Sequence, residues 1–238
     1  MPDAAALTTP SAPAATLSPL PPLPSLPDQA DRLVALGVHE LAGLAPAELR
    51  DAARALAGVA ERTHPGRRPG GTLLVVDHRL APASALAPLL RRGERPGFVV
   101  EDMTDVDAFV PADGVTVPDG PLLALVDVER GDELANASPA EAQATLDARG
   151  RTPMLLTEGV HWALQAPAVL ERNRCYMTIG SRVRRPDGRY DARTPAVWIS
   201  NGTGRDGRDA PKVGWCWWNN RHTWLGFGSA AARVAAPL

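Results

Sequence analysis

Lysine is all but missing from this chain. Lys212 stands alone among 25 basic residues, which face 27 acidic ones for a net charge of −2. A balance so close to neutral excludes the broad positive surface that nucleic acid or an anionic membrane requires. The arginine bias, alongside 24 prolines and 21 glycines, is compositional and is no sign of a phosphate site. Cysteine is equally scarce. Cys175 and Cys216 are too few for a disulfide framework in 238 residues and are expected as free thiols in a reducing compartment. No apolar run reaches the length of a membrane span, and MPDAAALTTP has neither a basic n-region nor an apolar h-region. The expected location is therefore the cytoplasm. Metal-ligand spacing is absent as well. Cys175, Cys216, His161 and His222 form no C-x-x-C or H-x-x-x-H pattern, so no metal is expected and no cofactor is implied.

What is present begins with proline. Residues 1–27 hold eight prolines and no charge beyond Asp3, which predicts a disordered, partly polyproline leader. Within it, Leu20-Pro21-Pro22-Leu23-Pro24 has the spacing that aromatic-grooved domains recognise. From Asp28 the apolar spacing becomes helical. Asp28 caps a short helix that stops at Gly37, and Pro46 opens a longer one with Leu49, Ala52, Ala53, Leu56 and Val59 on one stripe. Residues 28–64 thus read as a helical hairpin. The Leu33 to Leu44 spacing faintly resembles a DNA-binding helix-hairpin-helix, but it lacks a second turn glycine. Packing is the better reading.

Beyond the breaker-rich linker at residues 64–71, strands are predicted at Thr72–Val76, Gly97–Val100 and Leu122–Val128, with a short helix at Ser84–Leu90. Asp102, Asp105, Asp107 and Asp113 match no calcium-binding loop and read as loop and capping residues. Ser138-Pro139-Ala140-Glu141 is a complete capping box that starts a helix through Arg149, and a further helix ends at Gln165. Cys175–Arg184 alternates as a strand, turns at Pro186–Arg189 and returns over Ala196–Ser200. Val213–Trp218 and Thr223–Phe227 are predicted to close the sheet as a hairpin, and residues 231–238 to tail off.

Candidate chemistry concentrates near the carboxyl end, where five of the six tryptophans lie. A Cys216 thiolate with His222 as its base is the sharpest catalytic arrangement, and Asp127 is a further candidate base. Hairpin parity tests the pair. A turn of two or four residues sets Trp215, Trp217, His222 and Trp224 on one face and turns Cys216 away; only a three-residue turn unites thiol and imidazole. The favoured parity gives an aromatic panel able to stack on a ligand or hold a cation, with Trp218 partly exposed on the other face. Arg182 and Arg184 belong to the one local basic excess, seven arginines against three acids over residues 171–193. Gly202-Thr203-Gly204-Arg205-Asp206-Gly207 has dinucleotide-fingerprint lettering, but no helix follows to supply the amides. No serine sits in a nucleophile elbow.

The segments DRLVALGVHELAGL, GRTPMLLTEGVHWALQAPAVLERNRCYMTIGSR, TPAVWIS and KVGWCWWNNRHTWLG resemble the actinobacterial family catalogued as domain of unknown function 5701. The resemblance covers roughly Asp28 to Ala230 and is most specific from Trp215 to Gly226. Where that family usually has Gly-Asn-Pro before the histidine, this chain has Asn219-Asn220-Arg221. The resemblance implies a repeated architecture and lends no catalytic residue.

These observations converge on an α+β fold: a single domain over residues 28–230 with an N-terminal helical hairpin, short strands and helices, and a C-terminal antiparallel sheet. The expected function is a non-catalytic binding or interaction module for an unknown small molecule or protein. Trp215, Trp217, Trp218, His222, Trp224, Arg182 and Arg184 would form its surface. The alternative is a thiol- or histidine-dependent hydrolase or transferase using Cys216 and His222.

Overall fold

The computed structural model describes residues 20–202 and 207–236. Most of the proline-rich leader, including residues 1–19, lies outside the described residues, and so does most of the glycine-rich loop lettered G-x-G-x-x-G. The part of the leader that is described is held by the rest of the chain. The Leu23 amide donates to the Gly70 carbonyl at 2.8 Å, and Leu23 is buried. Gly70 has φ +68°, and a Cβ there would meet Pro22 at 2.8 Å. The Leu20–Pro24 motif is thus occupied within the protein.

Helix α1 (Leu26–Ala35) starts three residues earlier than expected, because Ser25 rather than Asp28 caps it; the Ser25 hydroxyl accepts the Asp28 amide at 3.3 Å. Gly37, at φ +75°, supplies the left-handed turn into the single-turn α2 (Val38–Leu41). In α3 (Pro46–Thr63), proline occupies the permissive first position and the Glu48 carboxylate accepts the Ala45 amide at 2.7 Å. Leu49, Ala53, Leu56 and Ala60 form its buried stripe, and α1 packs against it as the helical hairpin.

The chain then runs through β1 (Leu73–Val76), α4 (Ala83–Leu86), the small hairpin β2 (Arg91–Arg92) and β3 (Arg95–Pro96), β4 (Phe98–Val99) and β5 (Val110–Pro111). The buried strand β6 (Leu122–Val126) precedes α5 (Pro139–Ala148), which has the expected capping box: Ser138 and Glu141 satisfy each other's amides. Next come β7 (Thr152–Pro153), α6 (Leu156–Gln165), β8 (Cys175–Met177) and β9 (Ser181–Arg182). The last strands are β10 (Arg193–Ile199), β11 (Pro211–Trp217), β12 (Leu225–Phe227), β13 (Ser229–Ala230) and β14 (Ala232–Ala235). No described helix is long and apolar enough to cross a membrane.

Two larger sheets organise these elements. One is antiparallel, ordered β1-β6-β14; the other has five strands, ordered β12-β8-β10-β11-β4. Helix α6, buried at all ten positions, packs against β1 of the first and β10 of the second. Trp162 on α6 meets Tyr176 on β8 with ring centroids 5.3 Å apart.

Three expectations are corrected here. The Val213–Trp218/Thr223–Phe227 hairpin does not form: β12 pairs in parallel with β8, two strands removed from β11. The strand expected over Cys175–Arg184 breaks after Met177, because Gly180 packs so closely on β7 that a Cβ would lie 2.6 Å from the Pro153 carbonyl oxygen. Ser181 and Arg182 then pair with β5 instead. Finally, Ala232–Ala235 is no tail but the edge strand β14 on β6.

Candidate functional site

The broken strand and the end of β11 meet at one place. Beyond the β10–β11 ladder, whose last pair is Arg193 with Trp217, the Trp218 amide donates to the Ala192 carbonyl at 2.7 Å. That bond fixes the Trp218 indole against β9. The Arg182 guanidinium carbon lies 3.8 Å from the Trp218 ring centroid and 4.9 Å from that of Tyr190. Arg184 continues the stack, 4.6 Å from the Tyr190 ring. The turn at Pro186–Arg189 makes this possible, since Arg184 and Tyr190 bridge across it. The Tyr190 hydroxyl accepts the Asp113 amide at 2.6 Å and ties the loop after β5 to the stack.

This stack forms one wall of a cleft of about 650 Å³. Asp113–Val115 and the residues around Gly150–Pro153 form the rest, with Ile179 and Gln143 contributing. The charges around it are unequally satisfied. Arg184 is paired with Asp113, and Arg151 lies 3.4 Å from Asp127 and 3.3 Å from Glu129. The Asp191 carboxylate is shared by Arg193 at 3.1 Å and Arg185 at 3.3 Å. Arg182 differs. It is 6 % exposed, donates through Nη2 to the Asp191 carbonyl at 2.7 Å, and has no carboxylate partner among the described residues. Its Nε has no acceptor, and burial pulls the guanidinium below its ordinary pKa.

The other expected site residues are dispersed. Trp215 and Trp217 form one edge-to-face pair at 4.6 Å, and Trp217 is 47 % exposed. His222 packs on Trp224 at 5.5 Å, and Trp224 on Trp198 at 6.2 Å, as a second group. The four-membered panel assumed a β11–β12 ladder that does not exist. Trp218 is half-buried, as the other face demanded, but its neighbours are Arg182 and Tyr190.

Cys216 faces Thr194 across the ladder, and burial alone pushes its thiol up to about 12. His222 accepts the Asn136 amide through its carbonyl, while its Nε2 is buried without a partner and burial lowers its pKa. No hydrogen bond joins the two residues among those described. Asp127, at φ +53°, lies 3.4 Å from both Arg68 and Arg151, which makes it a joint between the linker after α3 and β7. Cys175 is buried and pushed up to about 11. His161 has both ring nitrogens engaged, Nδ1 with the Thr157 carbonyl at 2.8 Å and Nε2 with the Val76 amide at 3.2 Å. Among the described residues no group of three His, Cys, Asp or Glu side chains could hold a metal.

Sequence reasoning missed Tyr190, Asp113 and Arg151. A signal for Tyr190 existed: a turn at Pro186–Arg189 sets Arg184 and Tyr190 opposite each other. Nothing local linked Asp113 or Arg151 to it, for the Asp113–Tyr190 bond spans 77 residues of chain and Arg151 shares only the lining of the cleft.

A family model described as a family of unknown function (DUF5701) matches residues 32–236, and the chain belongs to that family. No curated protein and no solved structure matches the chain.

Proposed function

We propose that this member of the family is a non-catalytic binding module whose recognition site is the cleft beside Trp218, Tyr190 and Arg182. One observation carries the reading: an arginine on β9 and a tryptophan just past the end of β11 meet face to face on the wall of a cavity of about 650 Å³. Such a volume suits a small organic molecule, and rigid aromatic walls with a few fixed polar groups are how such molecules are held. The competing reading, a thiol- or histidine-dependent enzyme, needs an activated nucleophile. A thiol held near 12 with no base bonded to it speaks against that role for Cys216.

Two measurements test the proposal. Thermal denaturation with indole, phenol, benzamide and benzoate should show at least one compound that stabilises the protein saturably. That stabilisation should disappear in a folded Trp218→Ala variant. No stabilisation by any of the four overturns the cleft as the site. Iodoacetamide at neutral pH should leave Cys216 unmodified; rapid, pH-dependent alkylation there would put the enzyme reading first.

A further inference from the structure

From the same cleft, and resting on its being the binding site, we infer that the group it recognises is a singly charged oxyanion, foremost a carboxylate carried on a ring, seated on Arg182. The arginines around the cleft differ in what they can still bind. Arg151 lies beside Asp127 and Glu129, and Arg184 is held by Asp113. Arg182 has the least solvent of the three and no carboxylate among the described residues. A guanidinium withdrawn from water with no carboxylate bonded to it is an expensive thing to keep. Trp218 and Tyr190 offset part of that cost by stacking on it, and in doing so they fix the plane of its donor fork.

The donors of that fork are accounted for individually. Nη2 is committed to the Asp191 carbonyl. Nε is sealed from solvent without an acceptor, and Nη1 has no acceptor among the described residues and is not sealed. Arg182 lines the cleft, so an oxyanion entering from that side would meet Nη1, a free donor whose plane is preset by the stack. The charge of the ligand follows from another residue of the lining. Asp147 lines the cleft too, and its carboxylate is bonded to Gln143 at 2.8 Å rather than to an arginine. One negative charge neutralises Arg182; a second would face Asp147 uncompensated. A carboxylate therefore fits better than a phosphate monoester. The aromatic lining argues for a ring as its carrier.

The test uses the full chain with ¹⁵N-labelled arginine and reads the Nε–H resonance of Arg182, assigned by its loss in Arg182→Met. Benzoate should move this resonance saturably, and benzamide, the same ring without charge, should bind at least tenfold more weakly. Arg182→Met should lose the preference for benzoate, judged by the Trp218 indole N–H. Arg182→Lys, which retains the charge without the planar fork, serves should the methionine variant not fold; it should bind benzoate more weakly yet still prefer it to benzamide. Phenyl phosphate should bind less tightly than benzoate at pH 8. If it binds more tightly, the single-charge assignment is wrong. Equal binding of benzamide and benzoate would overturn the oxyanion and leave the cleft standing as a ligand site. If benzoate, benzamide, phenyl phosphate and indole all leave Arg182 and Trp218 unmoved, the cleft itself is refuted.

Discussion

His161 is the residue whose surroundings make the plainest demand on its chemistry. It lies on α6 against β1, fully buried, donating from Nδ1 to the Thr157 carbonyl and accepting the Val76 amide at Nε2. An imidazole that accepts a backbone N–H must be neutral, and burial lowers its pKa to about 4 from 6.5. The folded value lies below the unfolded one, so this contribution is complete above pH 6.5 and is lost as the pH falls from 6.5 towards 4, where the unfolded chain takes up the proton first. The loss should amount to about 2–4 kcal/mol. Urea denaturation at intervals between pH 7 and pH 4 should show this decline in the wild type and a flatter profile in His161→Gln. Parallel profiles for the two proteins would remove His161 as the source. None of this was legible in the sequence, where His161 was one of several histidines without a spacing pattern. Its acceptor role depends on a β1 amide 85 residues away.

That amide belongs to a strand edge, and edges are where the elements show what the sequence could and could not reveal. β1 pairs with β6 on one side only. Its other side is closed by side chains: Gln29 Oε1 accepts the Leu74 amide at 2.8 Å, Gln29 Nε2 donates to the Thr72 carbonyl at 2.8 Å, and His161 takes Val76. An unpaired edge invites pairing with another chain, and here two helices stand in for the missing strand. Gln29→Leu keeps the bulk but strands the Leu74 donor and the Thr72 acceptor, at about 1–3 kcal/mol for each buried group left unsatisfied. The variant should unfold at lower urea, and the Leu74 amide should exchange with deuterium faster relative to Leu123 on β6. Unchanged exchange at Leu74 would show that the side chain does not guard the edge. The helices themselves were readable, because caps such as Ser138 and Glu141 and stripes such as that of α3 are local signals. Strand partners were not. β12 is three residues long, and its parallel partner β8 lies some 50 residues earlier, so turn chemistry after Trp218 pointed to the wrong neighbour. The aromatic panel inherited that error. Trp218 and Arg182 were both singled out from the sequence, yet only the break at Gly180 brings them together.

At the scale of the whole molecule, the two sheets are tied by what the chain does at its end. After β12 joins the five-stranded sheet, β14 crosses to the edge of the other sheet, beside strands laid down more than a hundred residues earlier. Arg233 on β14 reaches Glu158 on α6 at 2.6 Å, and both side chains are 2 % exposed. Arg233 also donates to the Pro153 carbonyl at 2.7 Å, and Glu158 accepts the Leu155 amide at 2.7 Å, so the pair is satisfied beyond its own contact. Buried pairs of this kind add little net stability, because desolvation offsets attraction, but removing one partner leaves the other charge stranded. Arg233→Met should therefore cost about 3–5 kcal/mol, and Glu158→Gln a similar amount, whereas the double variant should recover most of that loss. Because both sheets depend on the joint, tryptophan fluorescence, which reports mainly on the five-stranded sheet, and far-UV circular dichroism should trace one urea transition in the wild type. Two resolved transitions in the wild type, or single-variant losses that simply add in the double variant, would mean that each sheet stands without the Arg233–Glu158 tie.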